Sequence, residues 1–390
     1  MSKYSITNPV IYGIGAINSL GKEINKLVCK KIMVVTDEGV SKSGVLDKVK
    51  KILETSNIEY IVYDKVIEDP PDYIINEGGQ LAKDEKIDGI VAVGGGSSMD
   101  AAKGINVLFN NELPVSKYFG NPFYNKGLPL VMVATTAGTG SENTSIGVIT
   151  DTENNNKNSV IATQTLAILD PELTLTVPRK YTIATGMDAF SHAVEALTAK
   201  EPNPHSDVLA IDAIKKVVKS LPVCVENGND LDARSDLLIA SNFAGIAFND
   251  ALVHLGHSIA HSIGAKFHVV HGIACALAEP EVMKYASKFE SDRVKIIGEA
   301  MGLKFLGEET DEEIGEKVAS GIREFSQKIG VKSIKELGIK REELIGIANM
   351  VISDVTIGFA PKPITEKEAE KILANIFDNY NFGENCFYER

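Results

Sequence analysis

The chain concentrates its histidines in one short stretch. Five of its seven histidines lie in the 18 residues HLGHSIAHSIGAKFHVVH, from His254 to His271. His257 and His261 are four residues apart, which on a helix places both rings on one face. His271 follows Gly264 and a short irregular run, so its ring can return to the same point from a loop or from the start of the next helix. Imidazoles grouped in this way are typical ligands of a divalent transition metal.

A second motif, GMDAFSHAVEAL, supplies a carboxylate at a matching spacing. Asp188 and His192 form another pair four residues apart, on a helix that we expect to open at Gly186. One carboxylate and several imidazoles, offered in pairs by two helices, suit iron or zinc. A lone histidine such as His205 is more often an ordinary core or surface residue, but the cluster predicts a metal site.

Length and composition limit the functional classes. A chain of 390 residues, 44% hydrophobic and 24% charged, is typical of a soluble protein with two domains. A net charge of −13 argues against nucleic acid and anionic membrane surfaces as partners, because both require a basic patch. No apolar run approaches the ~18 residues that span a bilayer.

The N-terminal residues and the cysteines indicate a cytoplasmic protein. MSKYSITNPV contains no apolar segment of the kind found in a signal peptide. The cysteines show no CxxC spacing, so we expect thiols in a reducing compartment rather than a disulfide framework. They are Cys29, Cys224, Cys275 and Cys386.

The order of apolar and amphipathic runs predicts two domains of different class. Before residue 180, strand-like runs at 30–37, 58–64, 88–96 and 128–141 alternate with helical patterns, which favours a parallel sheet covered on both faces. After Pro178 only helical patterns follow, at 181–199, 204–226, 231–249, 254–264, 271–286, 290–300, 309–329, 341–352 and 366–377. We therefore expect an α/β domain over 1–180, which carries the cofactor, and an all-α domain over 181–390, which carries the metal.

Two loops rich in small residues follow predicted strands. Gly94, Gly95 and Gly96 end one strand, and Ser97 is expected to cap the next helix. Glycines let a phosphate approach the backbone, and the helix N-terminus favours its negative charge. A tight turn without ligand explains this loop about equally well. A second loop of this kind, 135–141 with the sequence TTAGTGS, favours a bound nucleotide diphosphate over a turn without ligand.

Asp37 ends the first strand of the alternating series. An acidic residue there can accept a hydrogen bond from an adenosine ribose hydroxyl, which favours NAD over NADP because a 2′-phosphate would meet a like charge. An N-cap for the following helix is almost as good an explanation.

These motifs together resemble the iron-containing (group III) alcohol dehydrogenases, a family that includes lactaldehyde reductases and propanediol and butanol dehydrogenases. The similarity covers nearly the whole chain, through NPVIYGIGAINSLG, VTD, GGGSSMDAAK, TTAGTGSE, LDPELTLTVP, ATGMDAFSHAVEAL and GHSIAHSIGAKFHVVHG. The last two motifs are highly specific. The resemblance implies a Rossmann-like N-terminal domain and a helical C-terminal domain, in a dehydroquinate synthase-like architecture.

The resemblance also implies roles for single residues. The ligands of one Fe(II) would be Asp188, His192, His257 and His271. The proton carrier would be His261. Contacts to the dinucleotide would come from Asp37, Gly95, Gly96, Ser97, Thr136, Thr139 and Lys157. His254 and His268 match no required role.

The expected activity is hydride transfer between NAD(H) and a small primary alcohol, diol or aldehyde, with Fe(II) polarising the substrate oxygen. Zn(II) can occupy the same ligands, and NADP(H) is the less expected cofactor. Alternatives are a zinc-dependent polyol dehydrogenase of the glycerol type, a metal-dependent lyase or cyclase on the same fold, and a non-catalytic metal- or nucleotide-binding protein. The resemblance further implies a homodimer or larger homo-oligomer.

Overall fold

The computed structural model describes residues 8–154 and 156–380, which form two units. The α/β unit contains residues 8–177 together with Gly228–Asn249. The helical unit contains Pro178–Asn227 and the chain from Asp250 to residue 380.

The strands, in chain order, are β1 (Val10–Tyr12), β2 (Lys31–Asp37), β3 (Glu59–Val66), β4 (Gly89–Gly94), β5 (Leu130–Ala134), β6 (Ile146–Asp151), β7 (Asn156–Ile161) and β8 (Leu166–Leu169). The helices are α1 (Leu20–Lys26), α2 (Glu38–Lys42), α3 (Val45–Thr55), α4 (Asp72–Asp84), α5 (Gly96–Phe109), α6 (Arg179–Thr198), α7 (Pro204–Glu226), α8 (Leu231–Ala251), α9 (Leu255–Phe267), α10 (His271–Ala300), α11 (Asp311–Ile329), α12 (Arg341–Ile345), α13 (Ala348–Ser353) and α14 (Glu366–Asn379).

Six strands of the α/β unit form one parallel sheet in the order β1-β8-β5-β4-β2-β3. Every residue of β4, β5 and β8 is buried, which is why their sequences are almost continuously apolar. Alternate residues of β2 enter separate cores: Met33 belongs to one apolar cluster and Val34 to the other. The predicted parallel sheet with both faces covered is confirmed.

An antiparallel hairpin of β6 and β7 was not predicted. It pairs Ile146 with Ile161 at one end and Asp151 with Asn156 at the other. β7 has the largely polar sequence NKNSVI, in which only Val160 is buried, so it gives none of the apolar signal that marks the strands of the large sheet.

Helix α8 joins the α/β unit, whereas the sequence predicted one uninterrupted helical domain over 181–390. Leu238 packs in the same apolar cluster as Met132 and Ala134, and Asn242 Nδ2 donates a 2.9 Å hydrogen bond to Glu142 Oε1. The helical pattern alone could not assign α8, because it says only that one face is buried and not against what.

The helical unit keeps the predicted order of helices with three changes. α6 begins at Arg179 rather than Gly186, which is an interior residue against the side chain of Leu221. The patterns at 271–286 and 290–300 form one helix, α10, with a break at Glu290. The pattern at 341–352 divides into α12 and α13.

Within residues 8–154 and 156–380, no single helix has the length and apolar composition needed to cross a bilayer. α8 and α9 meet those two criteria only when they are taken together as a bent pair.

Candidate active site

One face of α6 carries three buried ionisable side chains. Asp188, His192 and Glu195 are four and then three residues apart, so they lie in one row along the helix. Each is at most 6% exposed. The sequence analysis selected Asp188 and His192 but missed Glu195, although a spacing of seven residues from Asp188 places it on the same helical face.

The histidine motif supplies the rings that face this row. Asp188 Oδ1 lies 3.4 Å from His271 Nε2, 3.8 Å from His192 Nδ1 and 4.0 Å from His257 Nε2. Three imidazole nitrogens therefore lie within 4.0 Å of one carboxylate oxygen. The four side chains that were predicted as metal ligands therefore come together from α6, α9 and the first residue of α10.

The geometry adds a cysteine that was not predicted. Ligand atoms of Asp188, His257, His271 and Cys275 all lie within 4.8 Å of one another, a group to which His192 does not belong. Cys275 follows His271 by four residues on α10, and its Sγ is 3.6 Å from His271 Nε2. Burial raises the pKa of this thiol well above its usual range, so its sulfur stays protonated and is a weak ligand.

The donor chemistry of the cluster fits a divalent metal. His257 Nε2 is buried without a hydrogen-bond partner, which is costly unless another ligand occupies that side. Burial lowers the pKa of the His192 imidazole to about 4, so the ring is neutral at neutral pH. Burial would raise the pKa of the Asp188 carboxyl, but the three imidazoles around it lower it well below its usual range. A carboxylate with three imidazoles suits Fe(II) or Zn(II).

His261 lies beside this cluster and has a carboxylate partner. Its ring stacks on that of His271 with centroids 5.4 Å apart, and its Nδ1 is 2.9 Å from Asp354 Oδ2. The side chain of His261 is 26% exposed, whereas that of His257 is 4% exposed. Asp354 was missed, since nothing in the sequence relates it to a histidine 93 residues earlier.

The two remaining histidines of the motif have different surroundings. His254 precedes α9, is buried, and shares a 2.9 Å hydrogen bond between its Nε2 and Thr198 Oγ1. His268 ends α9 with a φ of 56° and is exposed. His254 therefore lies near the ligands, and His268 faces away from the buried cluster.

The close contact between α6 and α10 depends on Gly272. A Cβ at this position would lie 1.8 Å from the backbone oxygen of Ala184 and 3.1 Å from Asp188 Cβ. We expect Gly272→Ala to lower the free energy of unfolding by about 3 kcal/mol, the upper end of the range for overpacking, because backbone cannot move aside cheaply. The urea-unfolding midpoint measures this loss.

The control for that change is Gly264→Ala on α9. A Cβ there would have Val269 O at 3.5 Å, an ordinary contact. Its unfolding free energy should stay within about 1 kcal/mol of the parent, because alanine also favours the helix. Equal stabilities of the two variants would contradict the packing argument for Gly272.

The glycine loop of the α/β unit contacts the second small-residue loop. Gly95 caps α5 and Gly96 is its first residue, so the prediction that Ser97 is the N-cap is wrong. A Cβ on Gly95 would lie 2.9 Å from Thr136 Oγ1, and one on Gly96 would lie 2.6 Å from Thr139 Cγ2. Glycine is therefore required where the loops meet, and both threonines remain partly exposed.

The carboxylate of Asp37 binds two groups of its own unit. One oxygen accepts a 3.0 Å hydrogen bond from Val40 N and the other a 2.9 Å bond from Ser98 Oγ. The alternative interpretation of Asp37 as the N-cap of α2 is thus confirmed. Its contact with a ribose stays a prediction.

A buried lysine fixes the end of the second loop. Lys103 on α5 is fully buried, and its Nζ donates to Ser141 Oγ at 2.8 Å and to Ile146 O at 2.7 Å. Burial lowers the pKa of this amine to about 8. Lys103 was not singled out from the sequence, although it ends the GGGSSMDAAK motif.

Lys157 lies on β7 and forms an ion pair. Its Nζ is 2.7 Å from Asp69 Oδ1, and both side chains are partly exposed. An exposed pair of this kind contributes little to stability, so Lys157 can exchange its partner for another anion at little cost.

Two family models match the chain. The first, described as iron-containing alcohol dehydrogenase, matches residues 7–171. The second, described as the C-terminal part of the Fe-containing alcohol dehydrogenase family, matches residues 182–377.

Individual proteins match over nearly the full length. An NAD-dependent methanol dehydrogenase from Bacillus methanolicus is 34% identical over 380 residues, which cover 96% of this chain and 100% of the relative. A 1,3-propanediol dehydrogenase from Klebsiella pneumoniae is 34% identical over 384 residues, which cover 97% and 99%. A solved structure of 1,3-propanediol oxidoreductase superposes with a TM-score of 0.92 at 34% identity, covering 97% of this chain and 100% of that one.

Proposed function

Because the chain belongs to the iron-containing alcohol dehydrogenase family, we propose that it transfers hydride between NAD(H) and a small primary alcohol, diol or aldehyde with the help of Fe(II). The chain is an oxidoreductase, and its predicted fold is confirmed by the family's solved structures. The observation that carries the proposal is the Asp188 carboxylate oxygen with three imidazole nitrogens within 4.0 Å of it.

The metal would be held by the four predicted ligands, Asp188, His192, His257 and His271. Support comes from the burial of Asp188, His192 and His257, from the lowered pKa of His192, and from the buried His257 Nε2, which has no hydrogen-bond partner. A bound Fe(II) would supply Lewis acidity that stabilises negative charge on the substrate oxygen. The Asp188 carboxylate is buried, so its interaction with a cation would be screened less than at the surface.

His261 is the group we assign to proton transfer. Its Nδ1–H donates to Asp354 Oδ2, which leaves the lone pair of Nε2 to accept a proton from an alcohol hydroxyl or from water. Its partial exposure gives that proton a route to solvent. General acid–base transfer by a positioned imidazole contributes about 10²–10⁴-fold to rate.

The α/β unit would bind the dinucleotide through backbone and hydroxyl donors. Gly95, Gly96, Ser97, Thr136, Thr139 and Lys157 are proposed to contact the diphosphate. The N-terminus of α5 favours an anion there, and the partial exposure of both glycines supports this assignment. The Asp37 carboxylate would repel a 2′-phosphate, which favours NAD over NADP.

The alternative functions have less support than hydride transfer. The named relatives are dehydrogenases, so a lyase, a cyclase and a non-catalytic binding protein are not favoured. Zinc remains an alternative for the metal, because the same donor atoms bind it tightly.

The proposal is tested by a substrate screen on protein purified without oxygen. Separate samples are loaded with Fe(II) or Zn(II), and reduction of NAD or NADP is followed at 340 nm with methanol, ethanol, 1,3-propanediol and glycerol. We expect turnover with Fe(II) and NAD on at least one primary alcohol or diol, and slower turnover with NADP. An absence of dinucleotide reduction or oxidation with every alcohol and matching aldehyde, under either metal, would refute the proposal.

We also infer a homodimer or larger assembly in the cytoplasm. The assembly follows from the family resemblance and is measured by sedimentation velocity. The buried thiols of Cys29 and Cys275 support a reducing compartment.

A further inference from the structure

Glu195 is anchored at the N-terminus of α9. The side chain is fully buried, and its Oε1 accepts a 2.6 Å hydrogen bond from Gly256 N. Its Oε2 accepts from His257 N at 3.3 Å and also contacts His257 Nδ1. Amides of the first helical turn favour a carboxylate, so the position of this carboxylate is fixed independently of the imidazole.

The carboxylate determines which nitrogen of His257 carries the proton. A group that only accepts hydrogen bonds requires a donor from the imidazole, so Nδ1 is protonated. The lone pair is then on Nε2. That nitrogen lies 4.0 Å from Asp188 Oδ1 and has no hydrogen-bond partner.

We propose that Glu195 is a positioning residue for the metal site, because its contact with His257 Nδ1 holds the ring in the tautomer and orientation that present Nε2 to the ion. A histidine ligand whose second nitrogen donates to a carboxylate is better oriented and more basic. The inference rests on the proposed function only in requiring that a metal binds between Asp188 and His257.

His254 lies beside the same carboxylate but does not hold it. Its Nδ1 is 3.3 Å from Glu195 Oε1 without a hydrogen bond, because its Nε2–H donates to Thr198 Oγ1, whose own proton goes to Val194 O. The carboxylate is therefore fixed by the amides of Gly256 and His257.

The test replaces the carboxylate with an amide of the same size. In Glu195→Gln, an amide oxygen that faces His257 Nδ1 would leave the amide NH₂ against Gly256 N–H, donor against donor. The opposite orientation donates to Nδ1 and favours the tautomer that protonates Nε2. Either orientation weakens the site, and we expect the dissociation constant for Zn(II), measured by competition with a chromophoric chelator, to rise about 10–100-fold.

Glu279→Gln is the matched control. Glu279 is fully buried, and one of its carboxylate oxygens lies within 4.8 Å of ligand atoms of Glu195 and His257. Neither of its oxygens, however, hydrogen-bonds an imidazole. Its Zn(II) dissociation constant should stay within about threefold of the parent. Equal losses in the two variants would mean that any change in this core disturbs the site, and would overturn the proposal.

Glu195→Asp separates positioning from packing. The aspartate still only accepts hydrogen bonds but is shorter, so positioning predicts tighter Zn(II) binding than in Glu195→Gln, and packing alone predicts the reverse. Circular dichroism establishes whether each variant folds. If only Glu195→Asp folds, a Zn(II) dissociation constant within about tenfold of the parent value supports the proposal.

A folded Glu195→Gln protein with unchanged Zn(II) affinity refutes the positioning role alone. Parent protein that binds no Zn(II) or Fe(II) instead refutes the metal site and, with it, both proposals.

Discussion

Replacing His257 with alanine is expected to weaken metal binding by more than about 100-fold and to remove activity in parallel. Changes in the partner of a metal-binding histidine already cost about 10–100-fold, and this change removes the imidazole itself. The buried Nε2 that lies 4.0 Å from Asp188 Oδ1 is lost. Metal per chain after dialysis, measured by mass spectrometry, and NADH formation at saturating alcohol give the two readouts. His271→Ala should behave in the same way.

The control lies in the same motif. His268 is exposed and ends α9 in a left-handed conformation, which asparagine also tolerates. His268→Asn should therefore keep its metal and its turnover within about twofold. An unchanged metal content in His257→Ala would show that this ring is not a ligand.

Replacing His261 with alanine is expected to leave metal content unchanged and to lower kcat by about 10²–10⁴-fold, the range for loss of a general acid or base. The Nδ1 of this ring is held by Asp354, and its side chain is 26% exposed, whereas that of His257 is 4% exposed. Stopped-flow and steady-state rates, with metal content measured on the same sample, distinguish the two roles.

Asp354→Asn is the companion to that change. The amide can still contact His261 but no longer offers a charge, so a smaller loss of kcat is expected than in His261→Ala. Loss of metal from His261→Ala would instead make this imidazole a ligand and remove it from proton transfer.

The sequence predicted the members of the candidate site better than the contacts among them. The spacing of His257 from His261 and of Asp188 from His192 follows from helix geometry, so their grouping was predictable. The contact of Asp354 with His261 depends on how α13 packs, which no local pattern encodes. Glu195 was predictable in principle, because its distance of seven residues from Asp188 repeats the same helical face.

The sequence predicted β4 and β5, because burial on both faces makes them continuously apolar. It missed β8, which is equally buried but has only four residues, and β7, which is mostly polar. The N-cap of α5 was wrongly placed at Ser97 because serine is a common cap, but here the cap is Gly95, where a Cβ would meet Thr136.

The path of α8 through the α/β unit has a consequence for biosynthesis. A ribosome completes all six strands of the large sheet by Leu169, yet the leucine that packs with Met132 and Ala134 emerges only at position 238. Until then the nascent chain exposes apolar surface of that layer, while α6 and α7 have already been translated. The α/β unit therefore cannot complete its core until two helices of the other unit have been translated, and an expression fragment cut at residue 178 would lack part of its own core.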